Sequence, residues 1–86
     1  MAHKTVTVRY FASVREALGR GSEPVRTAAD TLGALRDELI ARGEPYAGAL
    51  ARGKAVRMAL DQLMSGEDAV LADGAEVAFF PPVTGG

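Results

Sequence analysis

The stretch LADGAEVAFFPPVTGG, Leu71 to Gly86, decides the fold of this chain. Asp73-Gly74 is a turn signal. The run Ala75 to Phe80 then alternates, with Val77 and Phe79 on one face and Glu76, Ala78 and Phe80 on the other. Pro81 and Pro82 stop the strand, because neither can donate a ladder hydrogen bond. After Glu76 no side chain ionises, so the segment runs uncharged to a single terminal carboxylate.

Working back from this strand, TVTVRYF (Thr5–Phe11) alternates in the same way and predicts a first strand. Val6, Val8 and Tyr10 share one side; Thr5, Thr7, Arg9 and Phe11 share the other. ASVREALGRG predicts a short helix capped by Ser13, striped by Val14, Ala17 and Leu18 and stopped at Gly19. Glu23–Thr27 reads as a brief strand. Thr31 is placed to cap the main helix, where Leu32, Leu35, Leu39 and Ile40 recur at helical spacing before Gly43 ends it. Pro45 can open one more short helix through Tyr46, Ala49 and Leu50, with Gly53 as its end. VRMALD returns to period two, and Asp61-Gln62 separates it from Leu63-Met64 as a tight turn. This order predicts an α+β fold with helices on one face of a mixed sheet.

The chain has 86 residues, 48% of them hydrophobic, which predicts one domain over 1–86 with 81–86 as an extended tail. Ten basic residues nearly balance eleven acidic ones, and the charges are scattered in sequence, which argues against nucleic acid as a partner. Eight of the basic residues are Arg; Lys4 and Lys54 are the lysines. The absence of cysteine excludes disulfides, thiolate nucleophiles and Cys-ligated metal clusters, and permits a reducing cytoplasm. MAHKTVTV carries no charged patch followed by an apolar region, and no run approaches the ~20 apolar residues of a membrane span. The expectation is an untargeted cytoplasmic protein without membrane partners.

Side chains offer no conventional catalytic set. His3 is the single histidine and lies near the N-terminus, so it reads as a solvated residue rather than a catalytic base or metal ligand, and it cannot assemble a multi-His metal site. Gly19-Arg20-Gly21 follows a helix instead of joining a strand to a helix, and reads as a turn rather than a phosphate loop. Asp37-Glu38 and Glu67-Asp68 fall on a helix's polar side and in a turn, the ordinary setting of solvated charge. The Gly86 carboxylate is then the reactive group present regardless of side chains. Gly85 and Gly86 carry no Cβ, so an enzyme can approach the terminal carbonyl from every side. Pro81 and Pro82 bias the preceding backbone to an extended form and lower the entropy lost when it docks. Taken alone, terminal Gly-Gly is also what a frayed end looks like; its position behind FFPP is what gives it a chemical reading. Phe11 and Phe80 either form an exposed apolar patch beside the tail or help to fill the core.

VRYFASVREALG, TLGALRDELIARG and LADGAEVAFFPPVTGG together resemble the ubiquitin-like β-grasp sulfur carriers, most closely the small subunits of molybdopterin synthases. The resemblance implies a β-grasp fold in which the first and last strands are parallel neighbours at the sheet centre. It implies an ATP-dependent adenylating enzyme, related to ubiquitin activators, that forms an acyl-adenylate on Gly86. A sulfur donor then converts this to a thiocarboxylate. It implies a second partner, the large synthase subunit, in a heterotetramer where sulfur passes to cyclic pyranopterin monophosphate and two transfers complete the dithiolene. Carried over by position, Gly86 bears the sulfur and Gly85 gives it clearance. Phe11, Phe80, Pro81, Pro82, Val83 and Thr84 become partner contacts, with Arg15 a candidate polar contact. No cofactor is expected on this chain, ATP being used by the activating enzyme. Asp61 departs from relatives that carry Asn at this turn, and Asp serves turns as well.

Three other readings remain. A sulfur carrier for the thiamine thiazole shares the Gly-Gly end, but the chain length and FFPPV weigh against it. A ubiquitin-like modifier would join Gly86 to lysines of targets. A β-grasp binding module would not need Gly85 and Gly86 at all.

Overall fold

The computed structural model describes residues 3–82. Its elements run β1 (Lys4–Tyr10), α1 (Ala12–Leu18), β2 (Ser22–Thr27), α2 (Leu32–Ala41), α3 (Tyr46–Ala49), β3 (Arg57–Leu60), β4 (Leu63–Met64) and β5 (Glu76–Phe80). One mixed five-stranded sheet has the order β2-β1-β5-β3-β4. Its centre is the parallel pair β1·β5, in register Val8↔Val77 and Tyr10↔Phe79, while β2, β3 and β4 join antiparallel. The α+β class and the parallel central pair agree with expectation.

Alternation decides which residues meet the helices. Val6, Val8 and Tyr10 of β1 and Val77 and Phe79 of β5 are fully buried, against Leu32, Leu35 and Leu39 of α2 and Val14 and Leu18 of α1 in the same core. Each large apolar side chain withdrawn from water contributes about 1.5–3 kcal/mol, and this offsets the conformational entropy lost on ordering so short a chain. The Thr31 hydroxyl accepts the Ala34 N–H at 3.2 Å, so α2 starts where its cap predicted. Gly33 lets the 65–67 loop lie against α2: its N–H reaches the Glu67 carbonyl at 2.9 Å, and a Cβ there would stand 3.2 Å from that oxygen.

Beyond one-residue shifts at the starts of β1, β2, β3 and β5, three boundaries differ from the sequence reading. β1 ends at Tyr10, and Phe11, not Ser13, is the N-cap of α1, without a side-chain cap. The cause is the parallel partner. Extended backbone persists through Phe11 (φ −129°, ψ 154°), whose N–H donates to the Phe79 carbonyl at 3.1 Å, and the chain turns at Ala12 (φ 50°) before Ser13 can cap. α3 stops at Leu50, short of Gly53, where the Leu50 and Ala51 carbonyls instead accept from Arg36 at 2.8 Å each. The Asp61-Gln62 turn forms as read, both residues at positive φ (50° and 70°), the signature of a two-residue hairpin loop. The Asp61 carboxylate also accepts the Glu76 N–H at 2.9 Å, tying the hairpin to the start of β5. No helix among the described residues is long and apolar enough to cross a membrane.

Candidate functional site

The site grows from the place where β5 leaves the sheet. Phe79 is fully buried, its ring stacked on Tyr10 at 6.3 Å between centroids and 16° between planes. Pairing with β1 and β3 anchors the strand on both sides, so Phe80, Pro81 and Pro82 are delivered from the rigid centre of the sheet. Pro81 and Pro82 follow without strand pairing, both half-buried. Val83, Thr84, Gly85 and Gly86 lie outside the described residues.

Parallel register places Phe11 and Phe80 at consecutive outward positions of neighbouring strands, since Tyr10 pairs with Phe79 and both face inward. Phe11 is 40% exposed and Phe80 half-buried, so of the two readings of this pair the surface patch is the one observed. The Arg9 guanidinium lies 5.3 Å from the Phe11 ring centroid and 3.7 Å from Glu76, a clamp that fixes the ring on the outward face. The same face continues through Ala78, Ala59 and Met64, which are aligned across β5, β3 and β4.

Met64, 64% exposed, ends this apolar strip; Leu63, 71% exposed, stands opposite Leu60 and so belongs to the other face of the sheet, beyond the helices' cover. The sequence reading placed them only as hairpin residues. The signal available was two large apolar side chains in succession after a polar turn, on a strand of two residues with no room to bury both.

Arg15 stands apart from the strip. It is exposed on α1 and extends over Gly21, where a Cβ would lie 3.4 Å from its Nε. It therefore flanks the exit of the chain from the β2 side. His3 is exposed, and among the described residues no group of three or more His, Asp or Glu could hold a metal ion.

Behind the exit, on the helical side of the sheet, is a polar hub that sequence reasoning missed. Glu23 Oε2 accepts the hydroxyls of Tyr10 at 2.7 Å and Tyr46 at 2.6 Å, while its other oxygen faces Arg20 at 3.1 Å and Arg42 at 3.8 Å. Burial opposes ionisation of Glu23, but the two tyrosine hydrogen bonds and the two guanidinium groups outweigh it and hold the carboxyl below its usual range. Burial, together with the Glu23 hydrogen bond and charge, pushes the Tyr10 hydroxyl far up; Tyr46 is raised chiefly by its hydrogen bond to Glu23. The signs give a pH window. A depressed carboxyl stabilises the fold above its unfolded value of 4.5, and that contribution is lost as pH falls through the lower folded value. Raised tyrosines contribute fully below their unfolded value of 10.0 and lose the contribution as pH rises above it. Urea midpoints should therefore fall on both the acid and the alkaline side, and Glu23→Gln should flatten the acid limb. An acid limb identical in the variant would contradict this assignment.

With this geometry in view, a family model described as the ThiS family matches residues 8–86. The chain belongs to the ThiS family. This ThiS-family chain is 43% identical over 81 residues to the molybdopterin synthase sulfur carrier subunit of Escherichia coli, covering 94% of this chain and 99% of that one. Among solved structures it resembles SAMP1 from Haloferax volcanii, with a TM-score of 0.74 and 25% identity over 95% of this chain and 99% of that one. It also resembles a chain in the complex of subunits 1 and 2 of the molybdopterin-converting factor from Helicobacter pylori. There the TM-score is 0.60 and the identity 27%, over 95% of this chain and 99% of that one. The β-grasp expectation of the ThiS family holds in the five-stranded sheet and its parallel central pair.

Proposed function

We propose that this chain is the sulfur carrier subunit of a molybdopterin synthase and works in the cytoplasm. The observation that carries the reading is the central strand β5, which runs off the sheet at Phe80 beside exposed Phe11 and leads into the uncharged segment that ends in Gly85-Gly86. The identity to a curated sulfur carrier over nearly the whole chain supports it. In this reading the Gly86 carboxylate attacks the α-phosphorus of ATP on an adenylating enzyme and pyrophosphate leaves. Sulfide-level sulfur from a donor then attacks the acyl carbon: the C–S bond of a thiocarboxylate forms, the C–O bond to phosphate breaks and AMP leaves. Adenylation is needed because a carboxylate is a poor acylating group, and AMP is a far better leaving group than oxide.

The loaded tail then enters the large subunit and gives its sulfur to cyclic pyranopterin monophosphate. The strip Phe11, Phe80, Ala78 and Met64 is the docking face for that subunit, and Pro81 and Pro82 set the direction of entry. Val83 and Thr84 contact the large subunit along the way, and Gly85 leaves clearance around the reacting carbonyl. General acids and bases belong to the partners, and this chain needs no resident cofactor.

Incubation with the adenylating enzyme, ATP and a sulfur source, followed by intact-mass measurement, should show one terminal oxygen replaced by sulfur. An unchanged mass, under conditions that load a verified carrier, would refute the function. The likeness to SAMP1, a small archaeal modifier protein, favours a second reading as a protein modifier. Gly86 found in amide linkage to target lysines would establish it.

A further inference from the structure

Charge is scattered along the sequence but segregated along the sheet. At the end where β5 finishes, Arg9, Arg15, Arg57 and Lys54 are all exposed. Arg57 stands opposite Phe80 in the β3·β5 register, and Lys54 lines a small cleft of about 100 Å³ together with Pro81. On the other flank, Arg9 lies over Phe11 and Arg15 extends over Gly21. Among the described residues Arg15, Arg57 and Lys54 enter no ion pair. The acids near them are engaged elsewhere or few: Glu76 pairs with Arg9 at 3.7 Å, Glu67 shares a groove with Arg57 but pairs with Arg36 and Arg52, Glu23 is committed to the tyrosine hub, Glu44 is turned to the Gly48 N–H at 2.9 Å, and Glu16 is exposed on α1. The opposite end carries exposed Asp30, Asp61 and Asp73, with Lys4 drawn to Asp30 at 3.4 Å and Arg26 as its other cation.

We propose that these cations form a collar around the exit of the tail, read by a carboxylate-lined mouth on the adenylating enzyme that receives it. The inference rests on the carrier function proposed above. A partner that engulfs the tail must bring its own surface against the collar. A basic mouth would set like charges face to face, and an apolar one would strip water from guanidinium groups without replacing it. A carboxylate ring meets both demands and adds selectivity, because it repels bare anionic chain ends and admits one presented within a cationic ring. The net charge of −1 sharpens the point: the collar is a matter of placement, not of basic composition.

The test is stopped-flow association of the full-length chain with the adenylating enzyme across a range of salt. Combined Arg15→Glu, Arg57→Glu and Lys54→Glu should lower the association rate constant roughly tenfold or more at low salt, leave dissociation within about twofold, and flatten the salt dependence. The distal control Asp30→Asn should match the unaltered chain. The single Arg57→Glu and Arg15→Glu variants keep the test in force should the triple variant not fold. An association rate that is unchanged, or raised by charge reversal, would overturn the collar. So would tight retention of a short single-stranded RNA at physiological salt that is lost in the variants, since the collar would then serve a nucleic acid. The two readings fail separately: an unaltered chain that is never loaded with sulfur defeats the carrier function, whereas one that is loaded with salt-insensitive association defeats only the collar.

Discussion

Deleting Gly85 and Gly86 is expected to abolish sulfur loading while leaving the fold unchanged. β5 ends at Phe80, and the core and the strand pairs of the described residues are built from residues 4–80. The truncated chain would still end in a carboxylate, now on Thr84, but two residues span about 7 Å, so the acyl carbon would fall short of the position it must reach. Since a misplacement of ~1 Å can cost on the order of 10²-fold in rate, a shortfall of this size leaves no measurable turnover. Thr84 also brings a β-branched side chain to the place where the carbonyl needs open approach on every side. Gly86→Ala isolates that second effect, keeping chain length and adding one Cβ, and should retain a reduced rate. Intact mass reports the loading step, and molybdenum-enzyme activity in a cell lacking its own carrier reports the whole cycle. A truncated chain that restores activity in such a cell would mean that the tail is not the reacting group and that the domain acts by binding alone.

Replacing Arg36 with Ala is expected to cost about 3 kcal/mol of stability, from a guanidinium that is nine-tenths or more buried. Its Nε donates to the Leu50 carbonyl at 2.8 Å, and one terminal nitrogen donates to the Ala51 and Lys54 carbonyls at 2.8 and 3.3 Å. The other faces Glu67 at 3.6 Å. Burial acts to lower the Arg36 pKa, and the neighbouring Arg52 adds to this, while Glu67 and Asp37 oppose it; the group stays charged in any accessible solution. Truncation leaves carbonyls on the 50–54 loop without donors and opens a space beside α2. For a domain of this size each kcal/mol moves the unfolding midpoint by about 4–8 °C, so a fall of roughly 12–24 °C is expected in calorimetry. Arg36→Met fills part of the volume but restores no donor, and should recover only a minor share. Arg36→Lys restores charge and one donor direction and should fall between. A midpoint for Arg36→Ala within a few degrees of the unaltered chain would show that water replaces the guanidinium at little cost.

The readable parts of this molecule are those where a residue's neighbours in sequence settle its state. Val6-Thr7-Val8 and Val77-Ala78-Phe79 alternate because a strand turns successive side chains to opposite faces, and that period survives whatever the strand pairs with. Thr31 caps α2 because its hydroxyl needs only an N–H three residues on. Asp61-Gln62 turns because the hairpin is closed by residues on either side of it. The proposed role of the tail rests on the same kind of local argument, since the missing Cβ atoms of Gly85 and Gly86 and the fixed φ of Pro81 and Pro82 are properties of the residues themselves.

Arg36 shows where this stops. It follows Leu32 and Leu35 on the buried side of α2, and its acceptors lie 14 to 18 residues further along the chain. Nothing in the local pattern separates such an arginine from a solvated one. Ser13 failed as a cap because the length of β1 was set by β5, far away in sequence. Glu23 likewise gathers Tyr10, Tyr46, Arg20 and Arg42 from separate elements.

The sequence by itself determined the class of the fold, the periods of its strands and main helix, and the turn at Asp61-Gln62, because these follow from local sterics and hydrogen-bonding capacity. Tertiary structure alone decided that Phe11 and Phe80 lie side by side at the surface, that Met64 ends their strip, and that cations scattered in sequence gather around the exit of β5. Each of these depends on which strands lie beside which and in what register. Pairing across the sheet is settled by burial and hydrogen bonds summed over the whole chain, and that sum has no signature in any short stretch of it.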